Sequence, residues 1–262
     1  MFNELKDLES LIQQAAKEEL LSRFTVVNGQ QKADGSLVTE ADLAMQSRLQ
    51  EDLQANWPDI VLLSEEMTVE EQQAVLDADK PVWCLDPLDG TSNYAAGIPY
   101  FAVSLSLIDH GEVVLGLVYD PVRDECFTAI KEGVAMLNGQ PLQLTVNVET
   151  LAQSIAIIDF KRLTPALSVR LLQEQPFASQ RNFGASALDW CWMAANRGHT
   201  YLHGKQNIWD YSAGHFIFHK AGGHATTLEG EAIFVNKLIP RSVIAAESRE
   251  LLGLWSDWVR GE

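Results

Sequence analysis

The stretch VWCLDPLDGTSNYAAG, residues 82–97, carries the features that decide the fold. Apolar residues run up to Asp86 and predict a buried strand that ends there. Asp86 and Asp89 stand three positions apart, and Pro87 forces a turn between them. Gly90 and Thr91 follow where a helix can begin, and backbone N–H groups at such a start suit a phosphate oxygen. The stretch therefore predicts two carboxylates beside an anion-binding turn.

Around this stretch the pattern of apolar residues changes twice along the chain. Two amphipathic helices come first, and the second is predicted to begin after Thr39 and to end at Trp57-Pro58. Predicted elements that follow are a strand in 59–66, a helix over 69–78, strands in 101–130 and a hairpin at Asn138-Gly139. Beyond residue 145, strands and helices alternate, including helices over 165–173, 186–196 and 211–221. We expect an α+β half over residues 1–145 and an α/β half over 146–262.

The composition excludes several classes of protein. The chain has 36 Asp and Glu against 19 Lys and Arg, a formal net charge of −17. Such a chain repels nucleic acid and anionic membranes, so we expect neither as a partner. Cys84, Cys126 and Cys191 are widely spaced among apolar residues, which is typical of reduced thiols in the cytosol. With no basic leader and no apolar run long enough for a membrane span, the sequence predicts a cytoplasmic protein.

Acidic residues from three separate segments are predicted at strand ends or helix starts: Glu65, Glu66, Asp86, Asp89 and Asp210. Crowding so many carboxylates is costly unless they share cations. Oxygen ligands without His or Cys favour a hard ion, Mg²⁺ above all. Two such ions, about 3.5–4 Å apart, can activate a water and stabilise a leaving alkoxide. Phosphatases that form an aspartyl-phosphate place two aspartates two positions apart, so the spacing in DPLDGT favours metal-activated water as the nucleophile.

Four segments in this order resemble the inositol monophosphatase-like family of Mg²⁺-dependent, lithium-sensitive phosphatases. WCLDPLDGTSNYAAGIPYFAVSLSL is similar to the family's first signature and WDYSAGHFIFHKAGG to its second. LLSEE is similar to the segment with the metal-binding glutamate, and KADGSLVTEAD to the N-terminal loop and helix start. The resemblance covers nearly the whole chain. It implies a layered αβαβα sandwich of α+β and α/β halves, often assembled as a homodimer. It also implies that residues 1–145 bear most metal ligands and that residues 146–262 complete the active site.

Carried over position by position, the resemblance also implies the site residues. Glu65, Asp86 and the backbone carbonyl of Leu88 would bind a first metal ion, Asp86, Asp89 and Asp210 a second, and a third, weaker ion would lie near Glu65. Thr91, hydrogen-bonded to Asp42, would orient the attacking water, so that Asp42, Thr91 and Glu65 form the catalytic group. The predicted substrate contacts are Leu88, Asp89, Gly90, Thr91, Gly184, Ala185, Ser186, His203 and Asp210.

Several of these residues have simpler structural interpretations. Asp42 completes the capping box Thr39-Glu-Ala-Asp, and Asp210 can be an N-cap of the helix that runs to Ala221. His215 and His219 are four residues apart and suggest zinc only superficially, because the glutamate of H-E-x-x-H is missing. We expect them to be packing or surface residues. The tryptophans at 83, 190, 192 and 209 are expected in the core.

Two positions depart from the inositol-processing members of the family, and a basic pair adds a further feature. The inositol-processing members carry a carboxylate seven residues before the second-signature aspartate, where this chain has His203, and a glutamate where it has Lys220. Lys161 and Arg162 follow the predicted strand SIAIID, at the sheet edge where α/β proteins bind ligands. Such a pair can recognise a second anionic group or can be a solvated surface pair.

The sequence thus predicts a Mg²⁺-dependent phosphomonoesterase with two or three ions, acting on a small phosphorylated alcohol such as inositol monophosphate. The alternatives within the same chemistry are a 3′-phosphoadenosine 5′-phosphate, fructose-bisphosphate or other sugar-phosphate phosphatase. The alternative of another class is a regulatory member of the family that acts by binding a protein.

Overall fold

A computed structural model describes residues 2–24, 29–31, 37–78 and 80–261. Residues 32–36 of the predicted N-terminal loop lie outside these ranges. The helices are α1 (Phe2–Ala15), α2 (Glu40–Asn56), α3 (Val69–Asp77), α4 (Thr91–Ala95), α5 (Pro165–Glu174), α6 (Ser186–Ala194), α7 (Ile208–Lys220) and α8 (Arg249–Arg260). The longer strands are β3 (Val61–Ser64), β4 (Val82–Asp89), β5 (Ala102–Asp109), β6 (Glu112–Asp120), β7 (Glu125–Ile130), β10 (Ile155–Asp159), β12 (Thr200–Gln206) and β14 (Arg241–Ala246). The short strands are β1 (Gly29–Gln31), β2 (Leu37–Thr39), β8 (Met136–Leu137), β9 (Gln140–Pro141), β11 (Ser179–Arg181) and β13 (His224–Thr226).

The larger sheet has seven strands in the order β3-β4-β5-β6-β7-β8-β9. β3 and β4 run parallel and the other neighbours are antiparallel. All eight residues of β4 are buried, because helices cover the sheet on both faces. The predicted hairpin at Asn138-Gly139 is confirmed, since it joins β8 to β9.

The smaller sheet has five strands in the order β11-β10-β12-β14-β13. β11, β10 and β12 are parallel, and β14 runs antiparallel to both β12 and β13. Of these, β11, β12 and β13 were not predicted. β12 contains His203, Gly204 and Lys205, which hid its β pattern.

The elements form five layers, which confirms the predicted αβαβα sandwich. α1 and α2 pack on the outer face of the seven-stranded sheet through Leu8, Ile12, Met45 and Leu49. α6 and α7 lie between the sheets, where Trp190 and Phe218 join one core with residues of both sheets. α5 and α8 cover the far face of the smaller sheet through Leu171 and Trp255. The boundary expected between residues 145 and 146 lies between the strands of the two sheets. The central core contains residues of both sheets, so the two halves share one hydrophobic core.

Thr39 and Asp42 form the predicted capping box at the start of α2. The alternative for Asp210 is wrong: α7 begins at Ile208, three residues earlier than predicted, and its N-cap is Asn207. Asp210 instead lies in the first turn. All three cysteines are buried thiols, and no described helix is long and apolar enough to span a bilayer.

Candidate active site

A bulge in β4 sets the positions of Asp86 and Asp89. Asp86 pairs with Ser104 of β5 and Asp89 with Ala102, so β4 has one more residue than its partner between these pairs. Pro87 has no N–H to give to the ladder, which suits it to the irregular segment. The N–H of Leu88 donates to Oδ1 of Asp86 at 3.1 Å. The bulge thus places two buried carboxylates at the end of one strand.

Gly90 turns the chain from β4 into α4. Its φ of 91° lies in the left-handed region. A Cβ atom at this position would lie 3.0 Å from both the Cβ of Ala185 and the carbonyl oxygen of Tyr100. Only glycine therefore fits between the DPLDGT turn and the loop before α6, and this close approach brings the two predicted substrate segments together.

Three carboxylates from three elements meet beside this turn. Glu65 follows β3, Asp86 lies in β4, and Asp210 lies in the first turn of α7, where its Oδ2 accepts the N–H of Asn207 at 2.7 Å. One oxygen of each lies within 4.8 Å of the others. In the described part of the chain, this is the group of His, Cys, Asp or Glu side chains whose spacing suits a metal ion.

Asp89 connects the two halves of the protein at the same place. Its Oδ2 accepts the N–H of Ala187 at 2.6 Å, and the hydroxyl of Ser186 lies 3.5 Å from Oδ1. Burial raises the pKa of Asp89 to about 7, and the hydrogen bonds from Ala187 and Ser186 oppose part of that rise. The start of α6 is therefore held directly against β4.

The electrostatics of the cluster fit a cation. Burial, followed by the charges of Glu65 and Asp89, raises the pKa values of both Asp86 and Asp210 well above the ordinary range. A hard divalent ion among these oxygens would replace that repulsion by attraction. The donor set consists of carboxylates and matches the preference of Mg²⁺ for oxygen.

The expected hydrogen bond between Thr91 and Asp42 is present. Oγ1 of Thr91 lies 2.9 Å from Oδ1 of Asp42 and 3.0 Å from the carbonyl oxygen of Leu88. The other oxygen of Asp42 accepts the N–H and the hydroxyl of Thr39 at 2.7 and 2.5 Å. The same carboxylate therefore caps α2 and contacts Thr91, so the two interpretations of Asp42 are compatible.

A cavity of about 440 Å³ opens beside the cluster. The predicted substrate residues that line it are Asp89, Gly184, Ala185, Ser186, His203 and Asp210. Leu88, Gly90 and Thr91 are not on its wall, and neither are Glu65 and Asp86. The predicted substrate contacts thus divide into a group at the cavity surface and a group at the adjoining turn; their roles remain predictions.

Lys161 and Arg162 line this cavity together with residues that sequence reasoning missed, among them Asp159, Asp189, Asn182 and Lys205. Asp189 is buried in α6 and accepts a hydrogen bond from the Tyr100 hydroxyl at 3.0 Å. Burial, followed by the charge of Asp89, raises the pKa of Asp189 well above its usual range. An aspartate inside the apolar run SALDWCWMA was the available signal for it.

The histidine and tryptophan predictions can be compared directly with these contacts. The ring of His215 packs against Trp190 at 5.2 Å between centroids and stacks on His219 at 6.4 Å, which confirms packing roles. Trp83, Trp190 and Trp209 are buried core residues. Trp192 is partly buried against Tyr100 and Phe183.

The chain matches one known protein family over most of its length. A sequence model of the inositol monophosphatase family matches residues 3–257. The chain belongs to this family. Membership supports phosphatase activity and agrees with the family's use of metal ions, for which the carboxylate cluster is suited.

Individual relatives of this family carry two kinds of name. Nus factor SuhB of Pasteurella multocida is 34% identical over 206 residues, covering 76% of this chain and 74% of that protein. Inositol monophosphatase 1 of Bos taurus is 26% identical over 245 residues, covering 91% and 86%. The crystal structure of the extragenic suppressor protein suhB from Bartonella henselae superposes with a TM-score of 0.85 at 25% identity, covering 98% of each chain. The family and fold are therefore shown, and the names of the relatives do not select one substrate.

Proposed function

We propose that this protein is a Mg²⁺-dependent phosphomonoesterase that hydrolyses a small phosphorylated alcohol. The observation that carries the proposal is the meeting of Glu65, Asp86 and Asp210 within 4.8 Å, with Asp210 also lining the 440 Å³ cavity. Family membership supports the phosphatase reaction independently.

One group of residues is proposed to bind the metal ions, and another is proposed to position the attacking water. Glu65, Asp86, Asp89, Asp210 and the carbonyl of Leu88 would hold two or three Mg²⁺ ions. Bound Mg²⁺ polarises the phosphoryl oxygens, lowers the pKa of the attacking water and stabilises the leaving alkoxide. Thr91 would position this water, and Asp42, whose Oδ1 lies 2.9 Å from the Thr91 hydroxyl, would help to orient that hydroxyl. Backbone N–H groups at Gly90 and Thr91 are proposed to contact the phosphate.

The test is release of inorganic phosphate from a panel of phosphate esters in Mg²⁺. We expect turnover at nanomolar enzyme, complete loss in EDTA, and recovery when Mg²⁺ is restored. The panel includes inositol 1-phosphate, 3′-phosphoadenosine 5′-phosphate and fructose 1,6-bisphosphate. If the folded protein released phosphate from none of the esters, this result would contradict an enzymatic role and favour a protein-binding member of the family. The meeting of Glu65, Asp86 and Asp210 favours the enzyme.

Three further properties are proposed from the family resemblance: inhibition by Li⁺, assembly as a homodimer and a cytoplasmic location. Li⁺ titration of the phosphatase assay and light scattering on the purified protein test the first two. Localisation of the tagged chain tests the third.

A further inference from the structure

One wall of the active-site cavity carries positive charge in a chain whose net charge is −17. Lys161, Arg162 and Lys205 all line this cavity, which Asp89 and Asp210 also line. None of the three cations forms an ion pair with a carboxylate among the residues that the structure describes. Asp210 belongs to the carboxylate cluster and lines the same cavity as Arg162. The wall therefore lies within electrostatic reach of the carboxylate cluster.

Gly204 explains why these cations lie side by side. A Cβ atom at this position would lie 1.8 Å from the carbonyl oxygen of Arg162, so only glycine lets β12 pack directly on the turn 160–162. The same turn is fixed by Asp159, whose Oδ1 accepts the N–H of Lys161 at 2.8 Å. Backbone packing thus places Arg162 next to Lys205, and the arrangement does not depend on flexible side chains alone.

His203 supports this wall and has both ring nitrogens engaged. Its Nε2 lies 3.1 Å from Oδ2 of Asp159, and its Nδ1 accepts the N–H of Lys205 at 3.1 Å. The ring is buried. With Nδ1 accepting a hydrogen bond, Nε2 carries the proton and donates to Asp159. His203 is therefore a positioning residue that joins β12 to the turn, and its nitrogens are not available to neutral hydroxyl groups.

The carboxylates on the other side of the wall do not neutralise it. Arg162 and Lys205 also border a second cavity of about 580 Å³, which contains Glu229 and Glu231. Glu231 pairs with Arg241 at 2.7 Å, and Glu229 accepts the hydroxyl of Ser242 at 3.1 Å. In the wall itself, Asp159 lines the same cavity and offsets one of the three positive charges. The wall therefore keeps a net positive charge for a ligand in the active-site cavity.

We propose that Lys161, Arg162 and Lys205 form a subsite for a second anionic group of the substrate, a phosphate or a carboxylate. The proposal rests on the phosphatase function and specifies its substrate class: a phosphate ester that carries another anionic group, in preference to a neutral polyol monophosphate. Arg162 offers a bidentate fork for either group, and the two lysines offer point charges. The carboxylate cluster takes the phosphate that is hydrolysed, and the cationic wall takes the other anion.

Two pairs of ligands that differ in one anionic group test this subsite. Fructose 1-phosphate is compared with fructose 1,6-bisphosphate, and glycerol 3-phosphate with 3-phosphoglycerate. Calorimetry in Ca²⁺, a hard cation with the same preference for oxygen, measures binding without relying on turnover. In at least one pair, the ligand with the second anionic group should bind the wild type at least about tenfold more tightly than the ligand without it. The reason is that charge-assisted hydrogen bonds are about twice as strong as neutral ones. The favoured pair tells whether the second anion is a phosphate or a carboxylate.

Substitutions then assign the preference to named residues. Lys161→Ala, Arg162→Ala and Lys205→Ala should each reduce the ratio of affinities within the favoured pair by about threefold or more, and Arg162→Lys should recover part of it. Lys80→Ala, which removes an exposed lysine that does not line the cavity, should leave the ratio unchanged. The subsite would be overturned if the wild type bound both members of each pair equally well, or if it bound neither ligand with a second anionic group. It would also be overturned if the substitutions reduced the affinities for both members of a pair equally.

The phosphatase assay in Mg²⁺ separates this proposal from the function on which it rests. Phosphate release without any preference between pair members would keep the phosphatase and reject the subsite. A binding preference that depends on Arg162, without release from any ester, would keep the anion subsite and reject the phosphatase.

Discussion

Oγ1 of Thr91 lies 2.9 Å from Oδ1 of Asp42, although 49 positions separate the two residues in the chain. The contact joins the start of α4 to the first turn of α2 beside the carboxylate cluster. The Thr91 hydroxyl thus lies between two acceptors, Asp42 and the Leu88 carbonyl oxygen at 3.0 Å, and these restrict its orientation.

Thr91→Ala should lower kcat about 100-fold or more, because it removes the hydroxyl proposed to position the attacking water. The Mg²⁺ concentration for half-maximal activity should change by less than about threefold, since this hydroxyl is not a proposed ligand. Thr91→Ser keeps the hydroxyl and should retain most activity. Unchanged kcat together with a much larger Mg²⁺ requirement would contradict this role.

Asp89→Asn should preserve the fold and remove most activity. The amide oxygen can still accept the N–H of Ala187, which Asp89 now accepts at 2.6 Å, but one ligand charge is lost. We expect kcat/KM to fall by about three orders of magnitude, as for loss of several kcal/mol of transition-state stabilisation. Thermal unfolding and phosphate release measure the two effects. Near-normal turnover in saturating Mg²⁺ would reject the assignment of Asp89.

Asp86→Asn should remove most of the increase in unfolding free energy that Mg²⁺ gives the wild type. The wild type should gain about 2.7 kcal/mol of unfolding free energy at a Mg²⁺ concentration 100 times its Kd, because the ion binds the folded state. The variant should gain far less. In EDTA it should be at least as stable as the wild type, since the buried Asp86 is crowded by Glu65, Asp89 and Asp210. Denaturant titrations with Mg²⁺ and with EDTA measure both quantities, and equal Mg²⁺ stabilisation of both proteins would place the ion elsewhere.

Gly204→Ala should destabilise the protein by about 3 kcal/mol or more, because the new methyl group would lie 1.8 Å from the Arg162 carbonyl oxygen. Gly253→Ala is the matched control, since that exposed position in α8 has nothing within 4 Å of an added Cβ. It should stabilise the protein by about 0.5–1 kcal/mol. Urea titrations compare the two variants. A similar small effect at both positions would show that β12 and the turn 160–162 are not in close contact.

His215 should make the protein less stable in acid. His215 is half-buried, and its desolvation, aided by the charge of His219, lowers its pKa to about 3, whereas the unfolded value is about 6.5. Between these values the unfolded chain binds a proton that the folded chain does not, so stability falls as the pH decreases below about 6.5. The slope approaches 1.4 kcal/mol per pH unit, about the free energy of one proton.

Replacing the imidazole tests this slope. Between pH 7.5 and 5.5, the unfolding free energy of His215→Gln should fall by about 1 kcal/mol less than that of the wild type, as measured by urea titration. His110→Asn is the control, because the side chain of His110 is 88% exposed and asparagine tolerates its positive φ of 49°. Equal pH dependence in the wild type and the His215 variant would show that this ring is protonated in the folded state.

The sequence predicted the carboxylates better than their surroundings, for a physical reason. Asp86 and Asp89 are fixed by a local event, the interruption of a strand at Pro87, and such events are visible in a short window. The start of α7 was misplaced because IWD continues the helix back to the cap at Asn207, which the apolar pattern did not reveal. Lys205 was missed because its position depends on the packing of Gly204 against residues more than 40 positions earlier. Contacts of this kind are set by tertiary structure alone.

The carboxylates of the cluster are distributed along the chain in a way that matters during synthesis. Glu65 and Asp86 lie in the first half, and Asp210 lies on α7, which packs against the seven-stranded sheet so closely that a Cβ on Gly116 would lie 2.8 Å from the Ala213 carbonyl oxygen. A nascent chain that ends before residue 210 therefore has a strand-rich segment with unshielded acidic side chains and an uncovered apolar sheet face. Domains generally fold as units when their chain is complete. A metal ion that needs all three carboxylates, as proposed above, could therefore bind only after nearly the whole sequence has left the ribosome, and its occupancy would report finished folding.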